Sequence, residues 1–573
     1  MSIVSTITSG VAKMKTPRLF LVLALCSALF SALLYLGWSY SYGSLGFPLD
    51  DAWIHQTYAR NLVHYGQFAY VPGQPSAGST APLWTLLLSV GYFLQLDFKL
   101  WAYCLGFVLH ILTAWAAYRL AFRLWPQQER AALVAGLFCA LEWHLVWAAF
   151  SGMETILFIF LALLLMERYL WLKSRIANPQ SRLVTVHWSW GIGLLGGLLA
   201  VTRPEGIVLF ALITLDALGC SLCSIVTTRA VIASKAKQSP RRKEEIASSQ
   251  KTLLAMTRAE QLRSIFAPSP QGTKPRLPGV LGLLFGFALL LLPYLLFNLM
   301  TSGLPFPNTF YAKQAEYRAE IVNFSFAVRL WRVTRPTIVG AQVLLLPGFA
   351  LAVYRTIREK RMEAALPLVW WAATLALYAW RLPKDYQHGR YLIPTIPILV
   401  IFGSWGTLSL LLVDSRQTIV RALSRAVSIA VLILLFTFWV IGARTYAADV
   451  GFIEGEMVAV ARWLEANTPS NALIAVHDIG AVGYLVDRPL LDLAGLITPE
   501  VVPFIADEAR LLAFMEEKGA DYVVFFPDWS PAYARMSQDS RLHPVYRTGY
   551  AWTSRQGHAN MVVYETRWDS ESD

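Results

Sequence analysis

The sequence predicts an α-helical polytopic membrane protein with a small α/β domain at its C-terminal end, and three observations carry that prediction. The chain of 573 residues is 56% hydrophobic and only 15% charged, a balance that would leave a soluble protein too little polar surface to face water. Apolar runs of roughly 20 residues recur along it, each long enough to cross a hydrocarbon layer of ~30 Å as a helix. The Lys and Arg residues gather in alternate loops.

Taken in order, the first run covers 20–40. It follows a basic start and lacks a convincing cleavage site, so it reads as a retained span. The stretch 41–98 is neither fully polar nor cleanly spanning. In "GFPLDDAWIHQTYARNLVHYG", Trp53, Tyr58, Leu62 and Tyr65 recur at helical spacing and predict an interfacial amphipathic helix. The turn-rich "YVPGQPSAGSTAPLW" leads into an apolar piece at 83–96, too short for a span and read as an interfacial or re-entrant helix. Ten further spans follow at 100–120, 131–149, 155–172, 188–202, 206–222, 278–300, 338–354, 364–380, 391–412 and 426–446, about eleven in all.

The net charge of +12 does not point to a nucleic-acid partner, because what counts in a membrane protein is where the cations fall. The stretch before the first span, with 119–130, 167–187, 223–277, 355–363 and 414–425, holds 28 of the 49 Lys and Arg. By the positive-inside rule these are cytoplasmic, and the loops after residues 40, 149, 202, 300 and 381 are external. The same parity places 447–573 outside and makes the protein a multi-pass component of a bacterial cytoplasmic membrane with its N-terminus inside. The segment 223–277, rich in Lys, Arg, Ser and Gln with little apolar periodicity, reads as a disordered basic cytoplasmic insert without a catalytic part.

The division is therefore a transmembrane domain, 1–446, and an extracytoplasmic domain, 447–573. In the latter the helical "EMVAVARWLEANTP" precedes the β-rich runs "ALIAVHDIGAVGYLV", "DYVVFFP" and "MVVYETR". Gly480 and Gly483 are not followed by a dinucleotide-binding fingerprint. All five cysteines, Cys26, Cys104, Cys139, Cys220 and Cys223, sit in or at the ends of apolar spans, so no disulfide framework is implied, and the redox-like spacing of the last pair reads as packing.

Chemistry-bearing residues collect on the external side. Asp50 and Asp51 lie just beyond the first span, where two adjacent acids are costly. One acid would suffice to cap the helix that follows, so capping alone does not account for both. Other external loops contribute Glu154 in "SGMETILF", Arg203 and Glu205 in "TRPEG", Asn308 and Lys313 in "NTFYAK", and Lys384, Asp385, His388 and Arg390 in "LPKDYQHGRYLIP". Acids able to take a hydroxyl proton and cations able to hold a phosphate thus converge on one face. A hydroxyl is a poor nucleophile and needs a base, for which Asp50 is the first choice. Asp51 and Glu154 are the candidates to stabilise a developing positive charge or hold a divalent ion, the one cofactor this chemistry invites. Arg203, Lys313 and Arg390, with His388, His55 and Arg60, are the candidates for binding a donor phosphate and its substrate.

The stretches "LDDAWIHQTYARNL", "YVPGQPSAGSTAPLW", "GMET", "TRPEG", "NTFYAK" and "GRYLIP", with "HDIGAVGYL" and "LDLAGL" in the external domain, carry a resemblance across residues 47–222 and 278–500. The arrangement resembles the GT-C superfamily of integral-membrane glycosyltransferases, and within it the bacterial branch that includes the mycobacterial terminal β-(1→2)-arabinofuranosyltransferase. The resemblance implies an inverting transfer from a polyprenyl-phosphate sugar to a glycan, lipid or protein acceptor, with the polyprenyl chain lying between helices. It also implies that one carboxylate of the first loop is the base. Asp50 and Asp51 match the acidic pair of that branch and Glu154 its second-loop acid. Val71 departs from the pattern, which has Asn before Pro-Gly, as does the insert at 223–277. Two rivals remain at this stage. One is a transporter or lipid flippase, which should show paired halves and ionisable residues near span centres. The other is a lipid-linked oligosaccharide ligase or polymerase, which the same acids and cations would serve.

Overall fold

The computed structural model describes residues 16–176, 182–219, 277–411 and 418–568. The basic segment through residue 276, the start of the chain before residue 16 and the Cys220–Cys223 pair lie outside the described residues. Among the described residues, seven helices are long and apolar enough to cross a membrane: Pro17–Ser41, Phe98–Leu124, Thr155–Arg175, Gly279–Ser302, Met362–Arg381, Tyr386–Leu411 and Arg421–Asn467. Two more expected spans are bent pairs, Glu129–Leu141 with Trp143–Ala149 at 55° and Phe326–Ile338 with Ala341–Arg358 at 105°. The remaining two, expected at 188–202 and 206–222, coincide with the shorter apolar helices Ser189–Thr202 and Gly206–Gly219.

The first bend has a local cause. Glu142 sits at the break in an extended conformation, accepts a hydrogen bond from the Leu145 amide and pairs with His144 at 2.6 Å, so it caps the second helix instead of continuing the first. Between Ser189–Thr202 and Gly206–Gly219 the break falls at Arg203-Pro204, where the proline ring cannot continue the helix before it.

The expected basic ends meet on one side. Arg119 and Arg123 both donate to the buried Glu167, at 3.2 and 3.1 Å, and Lys173 pairs with Asp216 at 2.7 Å. Glu154 lies at the opposite end of the span that carries Glu167 and Lys173, and the loops expected to be external cluster there with it. The basic loops and the acidic loops thus occupy opposite ends of the bundle.

The helix Asp51–Tyr65 departs from the expectation of an amphipathic helix lying in the lipid interface. Nine of its fifteen residues are buried. Trp53 packs on Phe47, Phe98 and Tyr484, and Tyr58 on Phe68 and Tyr70, so protein closes over both sides of the helix. What covers the outer side is the C-terminal domain, which a sequence periodicity cannot register.

That domain is joined to the bundle without a flexible linker. The helix Thr418–Ile453 continues from the bundle through a π-helical turn, Glu454–Val458, into Ala459–Asn467. Glu456 in that turn is fully buried. It accepts hydrogen bonds from Thr548, Thr553, Asn560 at 2.7 Å and the Met561 amide at 3.0 Å, latching the end of the chain onto the emerging helix. A five-stranded sheet of order β2-β1-β3-β5-β4 follows, with β1 Ile474–Val476, β2 Leu490–Asp492, β3 Tyr522–Phe525, β4 Leu542–Arg547 and β5 Val562–Thr566. The first three are mutually parallel, and β5 is antiparallel to both β3 and β4. Leu511 and Met515 of the helix Glu508–Lys518 close one face of the sheet against Val523 and Phe525. Ile474 and Val476 of β1 instead join the same apolar core as the spans.

Candidate active site

Phe47 fixes the loop that bears the acidic pair, its ring held edge-on against Trp53 and Tyr103. The two carboxylates that follow point to different partners. Asp50 makes no side-chain cap on its own helix. Its two oxygens accept the amides of Gly480 at 2.7 Å and Ala481 at 2.8 Å, at the start of the helix Ile479–Leu485 of the C-terminal domain. The glycines of "HDIGAVGYL" are explained by that seat. A Cβ on Gly480 would lie 2.0 Å from the Asp50 carbonyl oxygen, and one on Gly483 would lie 1.8 Å from the Tyr70 hydroxyl. Burial, reinforced by the negative charge of Asp478 and opposed by the two amides, pushes the Asp50 carboxyl up to about 7.

Asp51 faces the bundle. Its carboxylate pairs with Arg390 and with Lys313 at 3.7 Å. Burial alone would raise it, but those two cations hold it far below the usual carboxylate range. Lys313 and Arg390 both donate to the Tyr391 hydroxyl, at 3.0 and 3.1 Å, so the three side chains form one rigid unit around Asp51. Arg390 is buried, and its Nε and Nη1 have no hydrogen-bond partner among the described residues. Two donor nitrogens of a permanently charged group, with three N–H groups between them, are thus left unspent.

Glu154 lies on the far side of the same space, with His55 at 3.3 Å and Arg203 at 3.7 Å. Burial raises its carboxyl, but the His55 hydrogen bond and the Arg203 charge overcome this and hold it down to about 2. Arg203 is itself fixed by Glu205 and the Tyr378 hydroxyl, each at 3.0 Å. These groups line a cavity of about 320 Å³, which continues between apolar walls that include Ile207, Val208, Phe306, Phe310 and Leu377.

Of the residues singled out in the sequence, the cavity brings together Asp51, Glu154, His55, Arg203, Glu205, Lys313 and Arg390. It does not include Asp50, which sits beside it and faces the C-terminal domain. Two expectations are corrected. Arg60 donates to the Tyr484 carbonyl at 2.7 Å and lies 4.6 Å over its ring, clamping the helix Ile479–Leu485 and reaching no substrate space. His388 pairs with Asp449 at 2.7 Å between the rings of Trp143 and Trp147, where it ties a loop to the emerging helix. The carboxylates do not fit a metal centre either. Asp51 is neutralised by Arg390 and Lys313, Glu154 pairs with Arg203, and no group of three or more His, Cys, Asp or Glu is placed to hold an ion among the described residues. Tyr391 and Tyr378 were not legible beforehand. Tyrosines abound in the chain, and only the fold shows which hydroxyls face arginine.

Residues 446–564 match a family model described as a domain of unknown function (DUF8728). No curated protein matches the chain in sequence. Solved structures do match in fold. The oligosaccharyltransferase of Archaeoglobus fulgidus in the apo form superposes with a TM-score of 0.55 at 14% identity, covering 90% of this chain and 71% of that one. ArnT from Cupriavidus metallidurans bound to undecaprenyl phosphate gives 0.52 at 15%, covering 97% and 99%. The archaeal oligosaccharyltransferase AglB in complex with an inhibitory peptide and a dolichol-phosphate gives 0.54 at 13%, covering 97% and 75%. The chain therefore shares the fold of these oligosaccharyltransferase and ArnT structures.

Proposed function

We propose that the chain is a glycosyltransferase that moves a sugar from a polyprenyl-phosphate donor to an acceptor hydroxyl at the outer face of a bacterial cytoplasmic membrane, with inversion at the anomeric carbon. The observation that carries this reading is the cavity itself. It is lined by Arg203, Lys313 and Arg390, with unspent donors on a buried arginine, together with apolar side chains such as Ile207, Val208, Phe306 and Leu377. That is the polarity of a phosphate attached to a prenyl chain. Two of the fold neighbours were solved with undecaprenyl phosphate and with a dolichol-phosphate bound, which supports a donor of this class.

In the proposed reaction Asp50 takes the proton of the acceptor hydroxyl while its oxygen bonds to the anomeric carbon. The bond from that carbon to the phosphate oxygen breaks, and the electron pair leaves on the phosphate. A phosphate needs no protonation to depart at neutral pH, only positive charge, which Arg390, Lys313 and Arg203 provide. Asp51 and Glu154 stay ionised beside the sugar, where a carboxylate stabilises positive charge developing at the ring. Asp50 is favoured over Asp51 as base because its carboxyl lies near 7 and it faces away from the phosphate cations. An inverting attack must come from the side opposite the leaving group.

Purified protein in nanodiscs, given synthetic polyprenyl-phosphate monosaccharides with labelled sugars, should release free polyprenyl phosphate only when an acceptor is present. A deletion strain should accumulate one such lipid. Accumulation of a lipid-linked oligosaccharide instead would replace monosaccharide transfer by the ligase reading. Accumulation of neither lipid, together with no turnover on any donor, would sink both.

A further inference from the structure

We propose that the end of the bundle opposite the active site binds the phosphate headgroup of an anionic phospholipid, held by Arg130 and Arg355 in a second cavity. The site does not depend on the transferase reading.

The cavity forms where the helices Glu129–Leu141, Leu346–Arg358 and Ile396–Leu411 meet. The short connection after Phe98–Leu124 keeps Gln127 and Gln128 at the start of the first of these, next to Arg130. Arg355 comes from the last turn of the second, and Leu408 and Ser409 from the last turn of the third. Together they line a space of about 500 Å³. Arg119 and Arg123 lie at the same end of the bundle but are spent on Glu167.

Arg130 is exposed and Arg355 half-buried, so both side chains are open to a ligand, and neither forms an ion pair among the described residues. Arg355 is braced from behind. Its guanidinium lies 5.6 Å from the centre of the Trp405 ring, which in turn stacks on Trp125 at 4.6 Å. A guanidinium resting on an aromatic face keeps its N–H edge free for an anion. The one carboxylate in the lining is Glu129, so two cations stand against one acid and the space is net positive. Phosphate is an anion whose geometry matches the arginine fork. Gln127, Gln128 and Ser409 add neutral hydrogen-bonding groups for the glycerol and ester oxygens beside it.

The apolar surface next to the cavity favours a lipid over a free phosphate. Val134 stands one turn from Arg130 on the same face of its helix and is 41% exposed, Leu410 beside Ser409 is 45% exposed, and Leu408 lines the cavity itself. Exposed apolar side chains on helices of the bundle face acyl chains. Basic groups bordering such a surface sit at headgroup depth, where clefts between helices take up anionic lipids.

The purified full chain in detergent, titrated with short-chain phosphatidylglycerol, phosphatidylcholine and sn-glycerol 3-phosphate, tests this, with binding read by native mass spectrometry and unfolding temperature. The first phosphatidylglycerol should bind several-fold more tightly than phosphatidylcholine, and glycerol 3-phosphate only weakly. Arg130→Gln and Arg355→Gln should each weaken it roughly fivefold, the scale of one cation at an anionic lipid surface, and the double variant roughly 20-fold. Glu129→Gln removes the opposing charge and should tighten binding, a gain that a folding defect cannot produce. No turnover is measured, so failure here leaves the transferase reading standing. Equal binding of the two lipids, phosphatidylglycerol binding indifferent to both arginines, or binding not tightened in Glu129→Gln would each overturn the proposal. Glycerol 3-phosphate binding as tightly as the lipid would overturn it in favour of a soluble phosphate ligand.

Discussion

Adjacent carboxylates in one loop end with opposite electrostatic lives. Asp51 is flanked by two cations and stays ionised, whereas Asp50 is buried against Asp478 and titrates near 7. If Asp50 is the base, only its ionised form works. Turnover should then fall about tenfold per pH unit below ~7 and level off above it. Asp50→Asn should lower turnover by roughly 10²–10⁴ and flatten that limb. An amide offers one carbonyl to the two amides of Gly480 and Ala481, so some loss of thermal stability, about 1–3 kcal/mol, should accompany it. Asp478→Asn removes a like charge, lowers the Asp50 carboxyl and should move the limb toward acid. An unchanged profile in both variants would remove Asp50 from the mechanism. Arg390→Lys tests the cations around Asp51. It keeps one charge but loses the planar fork with its spare Nε and Nη1 donors, so the donor KM should rise roughly ten- to hundredfold, matching 1.5–3 kcal/mol for hydrogen bonds to a charged group. At this scale the residue types were legible and their partners were not. Asp50 and Asp51 could be found as an unusual pair, but nothing local distinguishes the one that turns to a domain more than 400 residues later.

The elements that position the site do so by close approach. The helix Ile479–Leu485 comes so near the acidic loop that Gly480 has no room for a methyl group, the nearest backbone atom being 2.0 Å from its would-be Cβ. Gly480→Ala should therefore push the helix off Asp50, costing about 1–3 kcal/mol by overpacking and lowering turnover more than a surface Gly→Ala change would. Thermal unfolding and transfer rate measured together check this. Full activity would mean that the Gly480 and Ala481 amides do not matter to Asp50. The same motif shows why the sequence could be read only halfway. Two glycines three residues apart exclude a dinucleotide fingerprint by their flanks, but their positive reason is a contact with Asp50 and Tyr70 from the other domain. The helix Asp51–Tyr65 was legible as a helix from its 3.6-residue spacing, and misplaced in the lipid interface for the same cause. Its second buried face is covered by residues far along the chain. Strands β1 and β3 were marked by their apolar runs, whereas the order β2-β1-β3-β5-β4, which sets β1 between β2 and β3, is not a local property.

At the scale of the whole molecule, the assignment of sides decides whether any of this chemistry can meet a lipid-carried donor. The Lys and Arg loops alternate along the sequence, and their described members gather at one end of the bundle through pairs such as Arg119 and Arg123 with Glu167. The cavity, the acidic pair and the C-terminal domain lie at the other end. Moving such a cation cluster across the membrane is opposed by the positive-inside bias, so the site end should be external. The continuous helix through Glu454–Val458 leaves the C-terminal domain no hinge by which to reach the other side. Single cysteines at Gln538 on the domain and Gln238 in the basic insert, in a background with the native cysteines replaced by alanine or serine, test this in intact cells. A membrane-impermeant maleimide should label position 538 and reach 238 only after permeabilisation. Deleting residues 228–274 with a short linker kept should then leave transfer largely intact, because the insert would lie across the membrane from every residue proposed to act in it. Labelling of 238 but not 538 in intact cells would reverse the orientation and place the site where nucleotide sugars are at hand, removing the reason for a lipid carrier. Loss of transfer in the deletion, with normal insertion and unfolding temperature, would instead give the insert a part in the reaction.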